Sequence, residues 1–228
     1  MSGIDRVDPG LPVGPTVEGA PAAPPGPEPL AGRWVSLAPP SGSLAEALYP
    51  ATHGSPEAEA VWTYMPYGPF HDEGAMAEWL DGLAGSADPR FFAVSLDGIP
   101  VGVVSYLNAV TTDRRIEIGH IWYAPAAQRT RANTEVAYLL LRRAFEELGN
   151  RRVEWKCDAL NARSRAAAVR LGFTFEGIFR QHMIVKGRNR DTAWFSMLDP
   201  EWPGVRAAME RWLEAEPGAV SLGTLTSG

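Results

Sequence analysis

The sequence predicts an α/β domain with a mixed, mostly antiparallel sheet, and three observations predict it. Two apolar runs in "RFFAVSLDGIPVGVVSYLNAV" flank the turn "LDGI", which reads as a β-hairpin. Strand-like and helix-like stretches then alternate: "RRIEIGHIWYAP", "NTEVAYLLLRRAFEELG", "RRVEWKCDAL", "NARSRAAAVRLG". That order lays strands side by side with helices packed on the sheet. A last hairpin follows, with strands "FTFEGIFRQHMIV" and "TAWFSML" around the turn "KGRNRD".

Taken in chain order, residues 1–30 are rich in Pro, Gly and Ala and nearly lack bulky apolar side chains after Val17. Such a segment cannot bury enough surface to offset its ordering entropy, so a flexible tail or surface arm is expected. Residues 216–228 have similar composition, which leaves 31–215 as the expected domain. "RWVSLAP" is a short strand. "SLAEALYPATHG" and "EAEAVWTYM" are helical, broken by Pro50, Gly54 and Pro66. "HDEGAMAEWLDGLAG" is a helix with acidic residues in its first turn and glycines at its end. After the first hairpin, Pro125 stops a strand. Asn133 or Thr134 then caps a helix whose apolar face is Val136, Leu139, Leu140 and Phe145, with Gly149 as the stop. "EWPGVRAAMERWLE" is a C-terminal amphipathic helix carrying Trp202, Val205, Met209 and Trp212.

Composition narrows the function classes. The chain has 228 residues, 45% of them hydrophobic, an ordinary globular balance. No apolar run approaches the ~18 residues that span a bilayer. The first residues lack the basic and apolar regions of a secretory leader, so a cytoplasmic location is expected. A single cysteine, Cys157, excludes an intramolecular disulfide and a Cys-based metal cluster; no metal is expected. The net charge of −6 argues against non-specific nucleic-acid binding, but its distribution is uneven. Between Gln128 and Arg190 there are 14 Lys and Arg against 6 Asp and Glu. Such a basic stretch suits an anionic ligand, the alternative being solvated helix faces.

Read together, "IEIGHIWYAPAAQRT", "TEVAYLLLRRAFEELG" and "VEWKCDALNARSRAAAVRLGFTFEG" resemble the GNAT acyltransferase superfamily, over about residues 30 to 200. Within it the likeness is to the RimJ/RimL-type branch of ribosomal-protein alanine N-acetyltransferases. The most specific element is Asn161 ending a strand, Ser164 three residues on, and a small-residue helix closing with Leu171, Gly172 and Phe173. The resemblance implies a GNAT fold with a splayed central strand pair and flanking helices. It also implies acetyl-CoA as acyl donor, a primary amine of a small molecule or protein N-terminus as acceptor, and compatibility with a homodimer. Two other readings stay open: the same fold with another donor such as aminoacyl-tRNA, or a non-catalytic CoA-binding module.

In this family the loop before the long helix usually reads Arg/Gln-x-x-Gly-x-Gly/Ala and grips the donor's pyrophosphate. Here it runs Gln128, Arg129, Thr130, Arg131, Ala132, Asn133, followed by Thr134, with Arg131 and Asn133 at the glycine positions. A helix N-terminus still offers free amides and partial positive charge whatever the side chains. Arg129, Thr130 and Arg131 are expected to add bonds to phosphate.

Acyl transfer to an amine requires a neutral amine, a stabilised oxyanion and a protonated leaving thiolate. The resemblance assigns the oxyanion to amides near Trp122 and Tyr123, and donor binding to Asn161 and Ser164. Glu117, among Ile116, Ile118 and Ile121, is the candidate base; the alternative is an ion pair with Arg114, Arg115 or Lys156. His120 is a second candidate, its usual pKa suiting proton transfer near neutrality. The family's acidic tyrosine is absent, since its position is Ala168, and Ser164 is the remaining candidate acid. Cys157 is expected to be packing. Trp62, Tyr64, Tyr67 and Phe70, around Pro66, Gly68 and Pro69, form an aromatic loop suited to the acceptor or to a domain-edge core. Asp191 is expected in a structural salt bridge.

Overall fold

The computed structural model describes Leu11, residues 13–216 and residues 218–226. Its first half runs β1 (Leu30–Ala31), β2 (Val35–Ala38), α1 (Ala45–Thr52), α2 (Pro56–Glu59), α3 (Glu73–Ala84), β3 (Arg90–Leu96), β4 (Ile99–Val110) and β5 (Arg115–Tyr123). The second half runs α4 (Ala132–Arg142), β6 (Arg152–Asp158), α5 (Ala162–Arg170), β7 (Thr174–Val185), β8 (Arg188–Leu198), α6 (Trp202–Glu214) and α7 (Leu222–Thr226).

The strands form one sheet in the order β1-β2-β3-β4-β5-β6-β8-β7. Neighbours are antiparallel except β5 and β6, which are parallel. That exception fixes the molecule's central feature. β5 pairs with β6 from Arg115/Arg152 to Ile118/Trp155 and no further, although both strands continue. The cause lies on the other side of β5. There Val103 faces Trp122 and Ser105 faces Gly119, so β5 carries one extra residue, and His120 takes φ 51°. A bulge of this kind bends its strand and increases its twist. The expected splayed pair is therefore present.

The first hairpin turns on Asp97 and Gly98 (φ 50° and 81°), as a two-residue loop with both residues left-handed requires. The last hairpin corrects the sequence reading. Its turn is only Lys186–Gly187 (φ 48° and 73°), and β8 already begins at Arg188.

Alternation along the strands divides the core in two. Phe92, Val104, Val153, Trp155 and Phe195 point to the face covered by α4 and α6, where they meet Leu140 and Met209. Phe91, Val103 and Trp122 point the other way, to Leu48 of α1, Met76 and Leu80 of α3, and Trp62.

Several helix expectations need correction. α1 runs through Pro50 to Thr52. Only the carbonyl of exposed Glu46 loses a partner there, and it can turn to water. "EAEAVWTYM" is one four-residue turn capped by Ser55, followed by a 3-10 turn over Ala60–Trp62. α4 begins at Ala132, so neither Asn133 nor Thr134 is its cap; the Thr130 hydroxyl accepts from the Ala132 N–H at 3.2 Å instead. It leaves α-geometry at Arg143, in a π turn over Arg143–Glu147.

Within the described part of the N-terminal segment the chain is a surface arm, and it is fastened where flexibility was expected; residues 1–10 and 12 lie outside the description. The Ala22 and Ala23 N–H groups donate to the Thr111 and Leu148 carbonyls, and the buried Arg143 guanidinium holds the Glu28 carboxylate and carbonyl. Its prolines leave little chain entropy to lose on docking. At the other end Leu222–Thr226 form α7 with Leu222 buried, where a tail was expected.

Candidate active site

The loop into α4 can be judged by its amides. Gln128 Nε2 donates to the Tyr123 carbonyl (3.0 Å) and Thr130 Oγ1 to the Ala127 carbonyl (2.7 Å), which folds the loop on itself. Arg129 supplies the left-handed residue (φ 62°) that a glycine would otherwise provide. Among the described residues the N–H groups of Arg129, Thr130, Arg131, Asn133 and Thr134 have no hydrogen-bond acceptor. Four of these, at Arg129, Thr130, Arg131 and Asn133, belong to residues that reach the surface, and free amides around a helix start are donors suited to an anion.

The side chains behave differently from expectation. Arg131 turns away from the loop: its guanidinium donates to the Leu213 and Ala215 carbonyls at the end of α6, between the rings of Trp34 and Trp212. Unpaired carbonyls at a helix C-terminus attract a cation. Thr134 is fully buried and accepts from Arg170 (3.0 Å). Arg129 remains exposed beside the free amides and Asn133 adds its own, whereas Ala132 is buried with its N–H held by Thr130. The first turn of α4 is itself pinned by Glu135. That buried carboxylate accepts the N–H groups of Arg33, Trp34 and Val35 at 2.6, 2.9 and 2.9 Å.

Beyond Ile118, β5 has no strand neighbour on its β6 side among the described residues, and Trp122 and Tyr123 lie on this released segment. Across the opening, Asn161 caps α5, its side chain accepting from the Ser164 N–H (3.1 Å). Ser164 Oγ in turn accepts from Trp155 Nε1 (3.0 Å) and sits against Cys157. Cys157 is buried in the core, and burial pushes its thiol pKa up. Ala168 is fully buried, so no side chain replaces the missing tyrosine there.

On the opposite face Glu117 takes the ion pair, and its partner is Lys156 (2.9 Å), which also holds Glu154 (2.8 Å). Asn108 Nδ2 donates to the same Glu117 oxygen at 2.8 Å. Burial raises the Glu117 pKa despite Lys156. His120 stacks on Tyr67, with its Nδ1 3.3 Å from the Tyr67 hydroxyl. Burial, helped by the charge of Arg190, lowers its pKa to about 4. The expectation of proton transfer near neutrality is thereby corrected: this imidazole is neutral across the physiological range.

The aromatic loop splits in role. Trp62 is 1% exposed and donates Nε1 to the Thr52 carbonyl, so it is core and leaves no surface for a ligand. Tyr67 and Phe70 are half-buried beside it, and the Tyr64 hydroxyl donates to the Leu160 carbonyl (3.2 Å) past the end of β6. From the other side Lys186, at the β7–β8 turn, donates to the Trp62 carbonyl (2.9 Å). Among the described residues Asp191 makes no salt bridge. It accepts from the Gln181 N–H (2.7 Å) and Asn189 Nδ2 (2.9 Å), holding open a bulge in β7 between Phe179 and Met183. A cavity of about 920 Å³ opens there, lined by Phe179, Arg180, Gln181, His182, Asn189 and Asp191. No local sequence signal announces this bulge.

Among the described residues no three His, Cys, Asp or Glu side chains gather as a metal site, and no helix is long and apolar enough to cross a membrane.

Residues 35–174 match the model of the acetyltransferase (GNAT) domain. Among solved structures, a GCN5-related N-acetyltransferase from Brucella melitensis is 38% identical with a TM-score of 0.86, covering 92% of this chain and 98% of its own. A probable GNAT-family acetyltransferase from Chromobacterium violaceum is 41% identical (TM-score 0.75), covering 85% of this chain and 99% of its own. A Bacillus subtilis protein named "Putative ribosomal N-acetyltransferase YdaF" is 35% identical over 108 residues, which are 47% of this chain and 58% of that protein. The chain thus spans less than two thirds of that relative's length. With the domain model matching more than half of the chain, the chain belongs to the GNAT acetyltransferase family.

Proposed function

We propose that the protein is an acetyl-CoA-dependent N-acetyltransferase of the RimJ/RimL type, acylating a primary amine of a small molecule or protein N-terminus. The observation that carries this reading is the run of free amides at the start of α4 beside the strand pair that opens after Ile118. Those amides and Arg129 fit the donor's pyrophosphate, and the opening between β5 and β6 fits its thioester arm. The ribosomal acceptor named for the Bacillus subtilis relative supports the branch assignment.

The chain's own groups then divide the work. Amides of the released β5 segment polarise the thioester carbonyl and hold the oxyanion. Glu117 takes the amine's proton, directly or through water. His120, neutral and held by Tyr67, orients the acceptor by hydrogen bonding. Ser164, at the start of α5 across the opening, is assigned the proton for the departing thiolate.

A thiol-release assay with acetyl-CoA and a panel of amines tests the reading, with CoA binding followed by calorimetry. Absence of CoA binding at millimolar concentration sinks it.

A further inference from the structure

A guanidinium taken out of water needs a partner, and the arginines between Gln128 and Arg190 can be checked for one. Those at 129, 151, 163, 180 and 188 are exposed and solvated. Arg131, Arg165 and Arg170 hold carbonyl or hydroxyl oxygens, Arg143 and Arg152 hold carboxylates, and Arg142 lies over Tyr138. Arg190 alone has nothing. It is half-buried and its Nε is shielded from solvent, yet among the described residues no carboxylate, carbonyl, hydroxyl or ring takes it.

Its surroundings locate it. Thr192 is the last β8 residue paired with β6, so Arg190, two residues beyond, stands where β6 has ended. By alternation it shares the face of Trp194 and Lys156, away from Ala193 and Phe195 in the core under α4. Its charge is felt at His120, which stacks on Tyr67, and the tip of its own hairpin is tied to the Trp62 carbonyl. The guanidinium therefore lies on the sheet face of Glu117 and Lys156, past the end of β6 and near the β5 bulge, between Asn189 and Asp191, which line the last hairpin's cavity. Nearby carboxylates are already engaged: Glu117 by Lys156 and Asn108, Asp158 by the Leu160 N–H, Asp191 by Gln181 and Asn189.

We infer that Arg190 receives an anionic group of the acceptor, a carboxylate or phosphate carried on the same molecule as the reactive amine. This rests on the acetyl-transfer reading above and adds the acceptor's class to it. The arginine fork suits both anions, and charge-assisted bonds of this kind are worth about 10- to 100-fold in recognition.

The test compares kcat/KM for matched amines that differ only in the anion: amino acids against their amides, and phosphoethanolamine against ethanolamine. At least one anionic member should exceed its neutral partner by about 10- to 100-fold. Arg190→Gln should bring it down to the neutral partner's level, and Arg190→Lys should restore part of the gap. A merely structural arginine would lower both members alike. Whether the amino-acid or the phosphate pair shows the gap identifies the anion. Neutral amines acylated as well as anionic ones, or a preference that survives Arg190→Gln, overturns the inference. If no amine at all is acylated, the acetyl-transfer reading fails separately, and calorimetry with succinate and inorganic phosphate in the presence of CoA decides the matter. Binding weakened tenfold or more by Arg190→Gln supports the anion site; equal binding, or none to the parent protein, overturns it.

Discussion

Replacing Lys156 by Met keeps an unbranched stem against the Trp194 ring and removes only the charge that joins Glu117 to Glu154. The side chains of Lys156, Glu117 and Glu154 are only 10%, 7% and 6% exposed. Losing one member of a buried pair costs about 3–5 kcal/mol. The two carboxylates are not equally affected. Glu154 keeps Arg152 at 2.9 Å and Arg115 at 3.9 Å, whereas Glu117 keeps only Asn108. Glu117 is therefore the stranded charge, and it can escape by taking up a proton. That escape caps the cost at the free energy of protonating an ordinary glutamate, ~4 kcal/mol at pH 7.5 and ~1–2 kcal/mol at pH 5.5. We expect a loss of about 3 kcal/mol in urea unfolding at pH 7.5, equivalent to a Tm lower by roughly 6–12 °C. The sign with pH is fixed: a carboxyl whose folded pKa is raised destabilises above its unfolded pKa, so the deficit shrinks as pH falls. Adding Glu117→Gln to Lys156→Met should recover most of it. A deficit under ~1 kcal/mol at pH 7.5, or one that does not shrink at pH 5.5, refutes the argument.

Glu135→Ala removes the acceptor of three N–H groups, one fully buried, and should cost about 2–5 kcal/mol in the same unfolding assay; a change within ~0.5 kcal/mol would show that water replaces the carboxylate. Glu117→Gln should lower kcat for acetyl transfer by about 10²-fold or more with donor KM little changed, and unchanged turnover would remove Glu117 from the chemistry. His120 has a folded pKa of about 4 against 6.5 unfolded, so the unfolded chain binds more protons between those values. Its contribution is complete above about pH 6.5 and lost as pH falls towards 4, so His120→Gln should flatten the stability profile across that window by an order of 2 kcal/mol. An identical slope in both proteins would mean that the ring is solvated.

The sheet and most elements were legible because alternation and turn chemistry are local. Asp97-Gly98 announces its hairpin, and Asn161 announces the start of α5. What stayed hidden depends on contacts far apart in sequence. Arg131 reads as a phosphate ligand until α6, some 80 residues on, offers its terminal carbonyls. Glu117 reads equally as base or ion-pair partner until the register of β5 and β6 sets it opposite Glu154 and within reach of Lys156. His120 reads as a proton carrier until the bulge turns it under Tyr67, where burial lowers its affinity for a proton. Arg190 could not be told from its basic neighbours, since the lack of a partner is a property of the packed molecule.

The fastened N-terminal arm bears on how the protein can be shortened. Composition invites a cut just before Leu30, where proline-rich sequence gives way to the first strand. Such a cut deletes Glu28 and leaves the Arg143 guanidinium, 7% exposed, with only the distant Glu147 carboxylate at 4.0 Å. Arg143 opens the π turn at the far end of the helix whose near end carries the free amides. A trimmed gene would thus deliver its damage to the rod that carries the proposed donor site, and a weak CoA affinity measured on it would reflect the missing strap.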